Sequence, residues 1–300
     1  TVLGRQFHAS QLLVRLRSLG DCVLTTPAIE LLHRARPDLR IGGVVEPRFA
    51  EVFAGNAAVE RVMEPSYVAL AGYRASLALN LHGGTRSMLL TAASMARWRA
   101  GFAHHKGAGI VYNVPVPRAQ EVLGEDRTVH TAEHLASAMF YLGVPAGEIP
   151  RAQLFAPAAG GGGAYAVIHP ASAAAYKTWN AEGFVAVAEH IRRTRGLEPV
   201  FIGAGNDDLA PFAAYRTVQG APLREAMSLI GGAKLFVGND SGPAHIAAAY
   251  GVPLVVLYGR AEHKVIWAPW RAERARPLCA AEGIHTLRVE EVLAAVDELG

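Results

Sequence analysis

Gly238-Asn239-Asp240-Ser241-Gly242-Pro243-Ala244-His245 follows directly on the apolar run Leu235-Phe236-Val237. Near the other end of the chain, Arg15-Leu16-Arg17-Ser18-Leu19-Gly20-Asp21 follows the apolar run 11–14. Each stretch reads as a buried strand that stops, a turn with glycine and aspartate, and then a helix. In an open α/β sheet, ligands bind beyond the carboxyl ends of the strands. One such strand end in each half predicts two Rossmann-like lobes with a ligand held between them.

Working outward, strand-like runs alternate with helical patterns, the signature of parallel sheets covered by helices. The first half predicts strands over 11–16, 40–45 and 75–81, and helices over 21–35, 85–96 and 130–142. Pro27 is expected in the opening turns of its helix, where a missing N–H is tolerated. Residues 143–163 carry Pro145, Pro150 and Pro157 and end in Gly160 to Gly163, which is linker chemistry. The alternation then restarts, with strands over 165–169, 198–202, 235–237 and 254–258 and helices over 181–193, 223–230 and 243–250. An amphipathic helix over 289–299 closes the chain, apolar at Val289, Val292, Leu293 and Val296. The domains expected are 1–150 and 151–288, with 289–300 packing back on the N-terminal lobe.

Composition narrows the function. Of the 300 residues, 51% are hydrophobic and 18% charged, as buried parallel sheets require. A formal net charge of +3 makes no case for nucleic acid. Cys22 and Cys279 have neither disulfide-framework nor zinc spacing. No apolar run is long enough to span a bilayer, and the expected setting is cytoplasmic. Gly203-Ala204-Gly205 lacks the third glycine of a dinucleotide fingerprint, and no Gly-x-Ser-x-Gly elbow supports serine-hydrolase chemistry. No Asp-x-Asp pair offers two carboxylates to a divalent ion. Neither a metal nor a cofactor is expected.

The strand-end loops supply the candidate site. Asp21 is placed to accept a proton from a hydroxyl, or else to cap its helix. Asp240, Ser241 and Gly242 open the helix that carries His245; its N–H groups and dipole suit a diphosphate, and Asp240 suits sugar hydroxyls. Otherwise this is a capped helix with a core-facing histidine. Lys177, in Ala175-Tyr176-Lys177-Thr178-Trp179, is a phosphate partner or a solvated lysine. Asp207 or Asp208 takes ribose hydroxyls or caps a helix. His82-Gly83-Gly84-Thr85-Arg86 is a third such loop, with Arg86 and His82 as binders of an anionic acceptor or as parts of a turn.

In this order the motifs resemble glycosyltransferase family 9, the ADP-heptose:lipopolysaccharide heptosyltransferases. Ser18-Leu19-Gly20-Asp21 with Thr26-Pro27-Ala28 is similar to the family's N-terminal loop and first helix. Lys177-Thr178-Trp179 is similar to its Lys-x-Trp loop, and Asp240-Ser241-Gly242-Pro243-Ala244-His245 to its Asp-[Thr/Ser]-Gly-x-x-His motif. Gly251-Val252-Pro253 before a buried strand also fits. The resemblance implies a GT-B fold, with acceptor on the N-terminal lobe and nucleotide sugar on the C-terminal lobe. It implies inverting, metal-independent transfer of a heptose from ADP-heptose to a lipid-linked saccharide acceptor of the lipopolysaccharide inner core, with peripheral contact to the inner membrane. Carried over by position, Asp21 is the general base. Lys177 and the helix from Ser241 hold the diphosphate, Asp240 the heptose and Asp207 the ribose. One departure stands out: where the family commonly has Gly-Pro-Thr, this chain has Gly259-Arg260-Ala261. The alternatives are a GT-B enzyme of UDP-sugars, transferase or epimerase, and a two-lobed sugar-binding protein without catalysis.

Overall fold

Gln11–Val14 forms β1, buried at every position, and it is the strand around which the first sheet is ordered. The computed structural model describes residues 10–158 and 164–300, so Gly160 to Gly163 of the expected linker lie outside the described residues. The chain divides into two units, the first ending at Phe155 and the second beginning at Ala156.

In the first unit β1 is followed by α1 (Leu19–Ala35), β2 (Ile41–Val44), β3 (Arg61–Met63), α2 (Tyr67–Tyr73) and β4 (Leu77–Asn80). Then come α3 (Thr85–Ala93), β5 (Trp98–Phe102), α4 (Ala108–Val111), β6 (Val114–Val116), α5 (Ala119–Leu123) and α6 (Thr131–Leu142). The described strands run in the order β3-β2-β1-β4-β5-β6, and each pairing is parallel. Strand order therefore reverses between β1 and β4, where Val14 lies opposite Asn80.

The second unit repeats the plan with β7 (Tyr165–His169), α7 (Ala181–Arg195), β8 (Glu198–Gly203), β9 (Arg216–Gln219), α8 (Leu223–Gly231) and β10 (Leu235–Asn239). It continues through α9 (Gly242–Tyr250), β11 (Leu254–Tyr258), α10 (Ala261–Trp267), β12 (Ala275–Cys279) and α11 (Val289–Asp297). Here the order is β12-β11-β10-β7-β8-β9, the same path as in the first sheet, and the reversal falls between β7 and β10. Such a reversal leaves a crevice at the carboxyl ends of the two flanking strands, because the helices that follow them leave on opposite faces.

The closing helix α11 buries Val292, Ala295 and Val296 in the core of its own unit, against α7 and β11. Pro27 lies deeper in α1 than expected, since the helix begins at Leu19. Its missing N–H orphans the carbonyl four residues back, and Thr26 Oγ1 donates to that Val23 oxygen at 2.8 Å.

Candidate functional site

The loop after β1 and the loop after β4 meet at the first reversal point. Arg15 leaves the buried end of β1, and its Nη1 donates to the Leu81 carbonyl at 2.5 Å, tying the two strand ends together. Its Nη2 lies 2.7 Å from Asp21 Oδ1. The other carboxylate oxygen of Asp21 accepts from the Ser18 N–H at 3.3 Å and from Ser18 Oγ at 3.1 Å, closing a capping box at the start of α1. Asp21 therefore caps its helix, yet its side chain remains 25% exposed and can be reached by a solute. Behind it, burial pushes the Cys22 thiol up to about 12 and keeps it unreactive.

Asn80 organises the second loop: its Oδ1 accepts from the His82 N–H at 2.9 Å and the Gly83 N–H at 3.2 Å. Burial, then Arg15 and Arg17, hold the His82 imidazole below its ordinary value, so it is neutral near pH 7. Its Nδ1 is buried with no hydrogen-bond partner among the described residues. Arg86 is 60% exposed and points to Glu46, with Nη1 3.4 Å from Oε1, so its guanidinium is partly engaged. Glu46 is shared with Arg48 at 2.7 Å.

At the second reversal point β7 and β10 are stitched by side chains. Asn239 Nδ2 donates to the Pro170 carbonyl at 2.7 Å, and its Oδ1 accepts from the Trp179 N–H at 3.2 Å. Ser241 stands at the N-cap position of α9, and its Oγ donates to the Asn239 carbonyl at 3.0 Å. A hydroxyl has one proton, so the His169 Nδ1 that sits 3.1 Å away donates to it. Gly238 is required here, because a Cβ would meet the His169 carbonyl at 2.9 Å.

Lys177 and Asp240 converge at this point: Nζ lies 2.6 Å from Oδ2, with the Asp240 side chain only 6% exposed. Gly242 and Pro243 open α9 beside them; Pro243 has no N–H and the Ala244 N–H donates to the Ser241 carbonyl at 3.2 Å, so the helix start offers an anion the Gly242 N–H and the positive end of its dipole. His245 is buried on the same helix. Asp207 is turned to local use, its Oδ2 accepting from the Ala204 N–H at 2.7 Å to close the turn after β8. The sequence reading missed the contribution of α10. Trp267 lies 5.1 Å under Lys177 Nζ, His263 approaches Asp240, and Arg260 stacks 4.6 Å over Tyr176. The signal available was the Gly259-Arg260-Ala261 departure, which marks the element but not its side chains.

Among the described residues no group of three or more His, Cys, Asp or Glu is arranged to hold a metal ion. Nor is any described helix long and apolar enough to cross a membrane.

Residues 68–288 match the family model for Glycosyltransferase family 9 (heptosyltransferase). The chain is 38% identical over 125 residues to lipopolysaccharide heptosyltransferase 3 of Escherichia coli, covering 37% of this chain and 36% of that protein. The match thus spans about a third of the relative's length. In three dimensions the chain is similar to a glycosyl transferase family 9 structure from Veillonella parvula, with a TM-score of 0.84, 21% identity, and 97% and 96% of the two chains covered. It is also similar to E. coli heptosyltransferase WaaC with ADP, with a TM-score of 0.79, 19% identity, and 97% and 100% covered. At these identities the structural likenesses establish the GT-B-like fold: two parallel sheets, each flanked by helices.

Proposed function

The chain belongs to glycosyltransferase family 9, and we propose that it moves a heptose from ADP-heptose to a saccharide acceptor of the lipopolysaccharide inner core by an inverting, metal-independent displacement. The observation that carries this reading is the Lys177–Asp240 pair at 2.6 Å beside the start of α9. A cation and the positive end of a helix stand where a doubly wound sheet takes its ligand. The nucleotide assignment is supported by WaaC, similar in fold, which has been solved with ADP and with ADP-2-deoxy-2-fluoro heptose.

In this mechanism Asp21 removes the proton of the acceptor hydroxyl as its oxygen attacks the anomeric carbon. The carbon–oxygen bond to ADP breaks on the opposite face, and ADP carries the bonding pair away. Lys177, the Gly242 N–H and the dipole of α9 offset the charge that grows on the diphosphate, the kind of electrostatic contribution that usually dominates. Asp240 holds sugar hydroxyls, Asp207 the ribose through the carboxylate oxygen that does not accept from the Ala204 N–H, and His245 packs the helix start in place. His82 and Arg86 receive the acceptor. A lipid-linked acceptor, met at the cytoplasmic face of the inner membrane, accords with the exposed Val68, Leu89 and Ile110 on α2, α3 and α4.

The test is ADP release from ADP-heptose with heptose-deficient lipopolysaccharide as acceptor, with and without EDTA. Transfer should survive EDTA, and UDP should bind far more weakly than ADP in calorimetry. Asp21→Ala should lose on the order of 10²–10⁴-fold in rate, the usual cost of a missing base, while ADP affinity stays within a few-fold. Near wild-type turnover by Asp21→Ala would remove Asp21 from the mechanism.

A further inference from the structure

Asp240 has a second basic neighbour. His263, on α10, sets its Nδ1 3.8 Å from the same Oδ2 that Lys177 reaches at 2.6 Å. That is about 1 Å longer than an N–H···O hydrogen bond, and Nδ1 is buried without a hydrogen-bond partner among the described residues. The ring is held between Tyr176, at 5.8 Å, and Trp267, at 5.0 Å between centroids. Because Trp267 also lies under Lys177, one aromatic side chain touches both basic side chains that face Asp240.

Lys177 cannot serve Asp240 and an incoming diphosphate at full strength together. Drawing it toward phosphate leaves a buried carboxylate without its cation, which is strongly unfavourable. We propose that His263 takes over Asp240 when Lys177 turns to the nucleotide, its Nδ1–H closing on Oδ2 while the ring takes up one proton from solvent. The proposal rests on the nucleotide reading given above and makes His263 a positioning residue of that site. The proton comes from the acid form of the buffer, whose conjugate base stays in solution; no covalent bond to carbon forms or breaks, and the site keeps a balanced charge as the anion enters.

The charges around the ring agree with this exchange. Burial first, then Lys177, hold the His263 imidazole below its ordinary value, and Arg260 acts in the same sense. Asp240 and Glu262 act the other way. From β11, Tyr258 faces Asp240 as a neutral phenol, since burial and Asp240 keep it protonated. Withdrawing Lys177 removes the strongest opposing charge and leaves Asp240 as the dominant one.

Calorimetry of ADP binding at pH 7, in buffers of different ionisation enthalpy, reads the proton directly. Wild type should take up more protons than His263→Asn, a difference that cancels those exchanged by ADP itself. His263→Phe should bind ADP about tenfold more weakly, as expected for one lost charge-assisted hydrogen bond. A second measurement needs no nucleotide: in Lys177→Met the imidazole C–H resonance of His263 should titrate at higher pH than in wild type. Equal proton counts in wild type and His263→Asn with ADP bound, or an unmoved His263 titration in Lys177→Met, would overturn the exchange and leave the nucleotide site standing. Failure of ADP to bind wild type would overturn the nucleotide reading, and the exchange with it.

Discussion

Arg15 is the residue on which the first reversal point depends most. It is buried, spans β1 and β4 through the Leu81 carbonyl, and holds one oxygen of Asp21. Arg15→Met removes both contacts and leaves the Leu81 carbonyl and half of a carboxylate without partners. Unmade hydrogen bonds of this kind cost about 1–3 kcal/mol each, so urea unfolding should show a loss of about 2–4 kcal/mol. Asp21→Asn is the contrast. Its amide has one oxygen, which can face the Ser18 groups or Arg15 Nη2 but not both, so stability should fall by about 1–2 kcal/mol, less than for Arg15→Met, while transfer collapses. If the two variants lost stability equally, Arg15 would not be the organiser described here. The sequence placed Asp21, Lys177 and Asp240 correctly at strand ends because each sits inside its own motif. Arg15 and His263 escaped it, since their importance comes from partners on other elements: Leu81 in one case and Asp240 in the other.

At the scale of elements, the Lys177 loop is positioned by the end of β11. Gly259 sits so close to the Tyr176 carbonyl that no Cβ fits between them, and the obstructing atom is backbone rather than a flexible tip. Gly259→Ala must therefore push residues 174–178 away, separating Lys177 from Asp240 and Trp267. The variant should fold, because the strand itself is fully buried and intact, but ADP affinity measured by calorimetry should fall about tenfold or more. Unchanged affinity would mean the loop is not held by this contact. The same view explains which elements could be read from sequence. Central strands such as β1, β10 and β11 are apolar runs that end in turns, and they were legible. β6 and β12 were not, because Pro115 and Pro277 interrupt them; both strands lie at sheet edges, where a missing N–H is tolerated. β5 was hidden by Arg99 and Gly101, and β3 is too short to show a period.

Across the whole molecule, the two units share one strand order, and each keeps a histidine neutral inside it. In the first, His134 of α6 stacks on Phe102 with centroids 3.9 Å apart. Burial, then the neighbouring His104, Arg15 and His105, bring it down to about 4. In the second, burial brings His169 down to about 4 beside Ser241. Unfolded, both rings titrate near their ordinary value of 6.5. Between about 6.5 and 4 the unfolded chain binds more protons than the folded one, so stability falls as pH falls. The contribution is complete above the unfolded value and is lost as pH descends toward the folded one. Linkage with these values removes about 2 kcal/mol per histidine between pH 7 and pH 5. Urea titrations at the two pH values should show that loss in each unit. His134→Gln and His169→Asn together should flatten the dependence, whatever they cost at pH 7. A chain equally stable at pH 5 and pH 7 would mean that these rings already carry protons when folded, and Ser241 would then receive its hydrogen bond from an imidazolium.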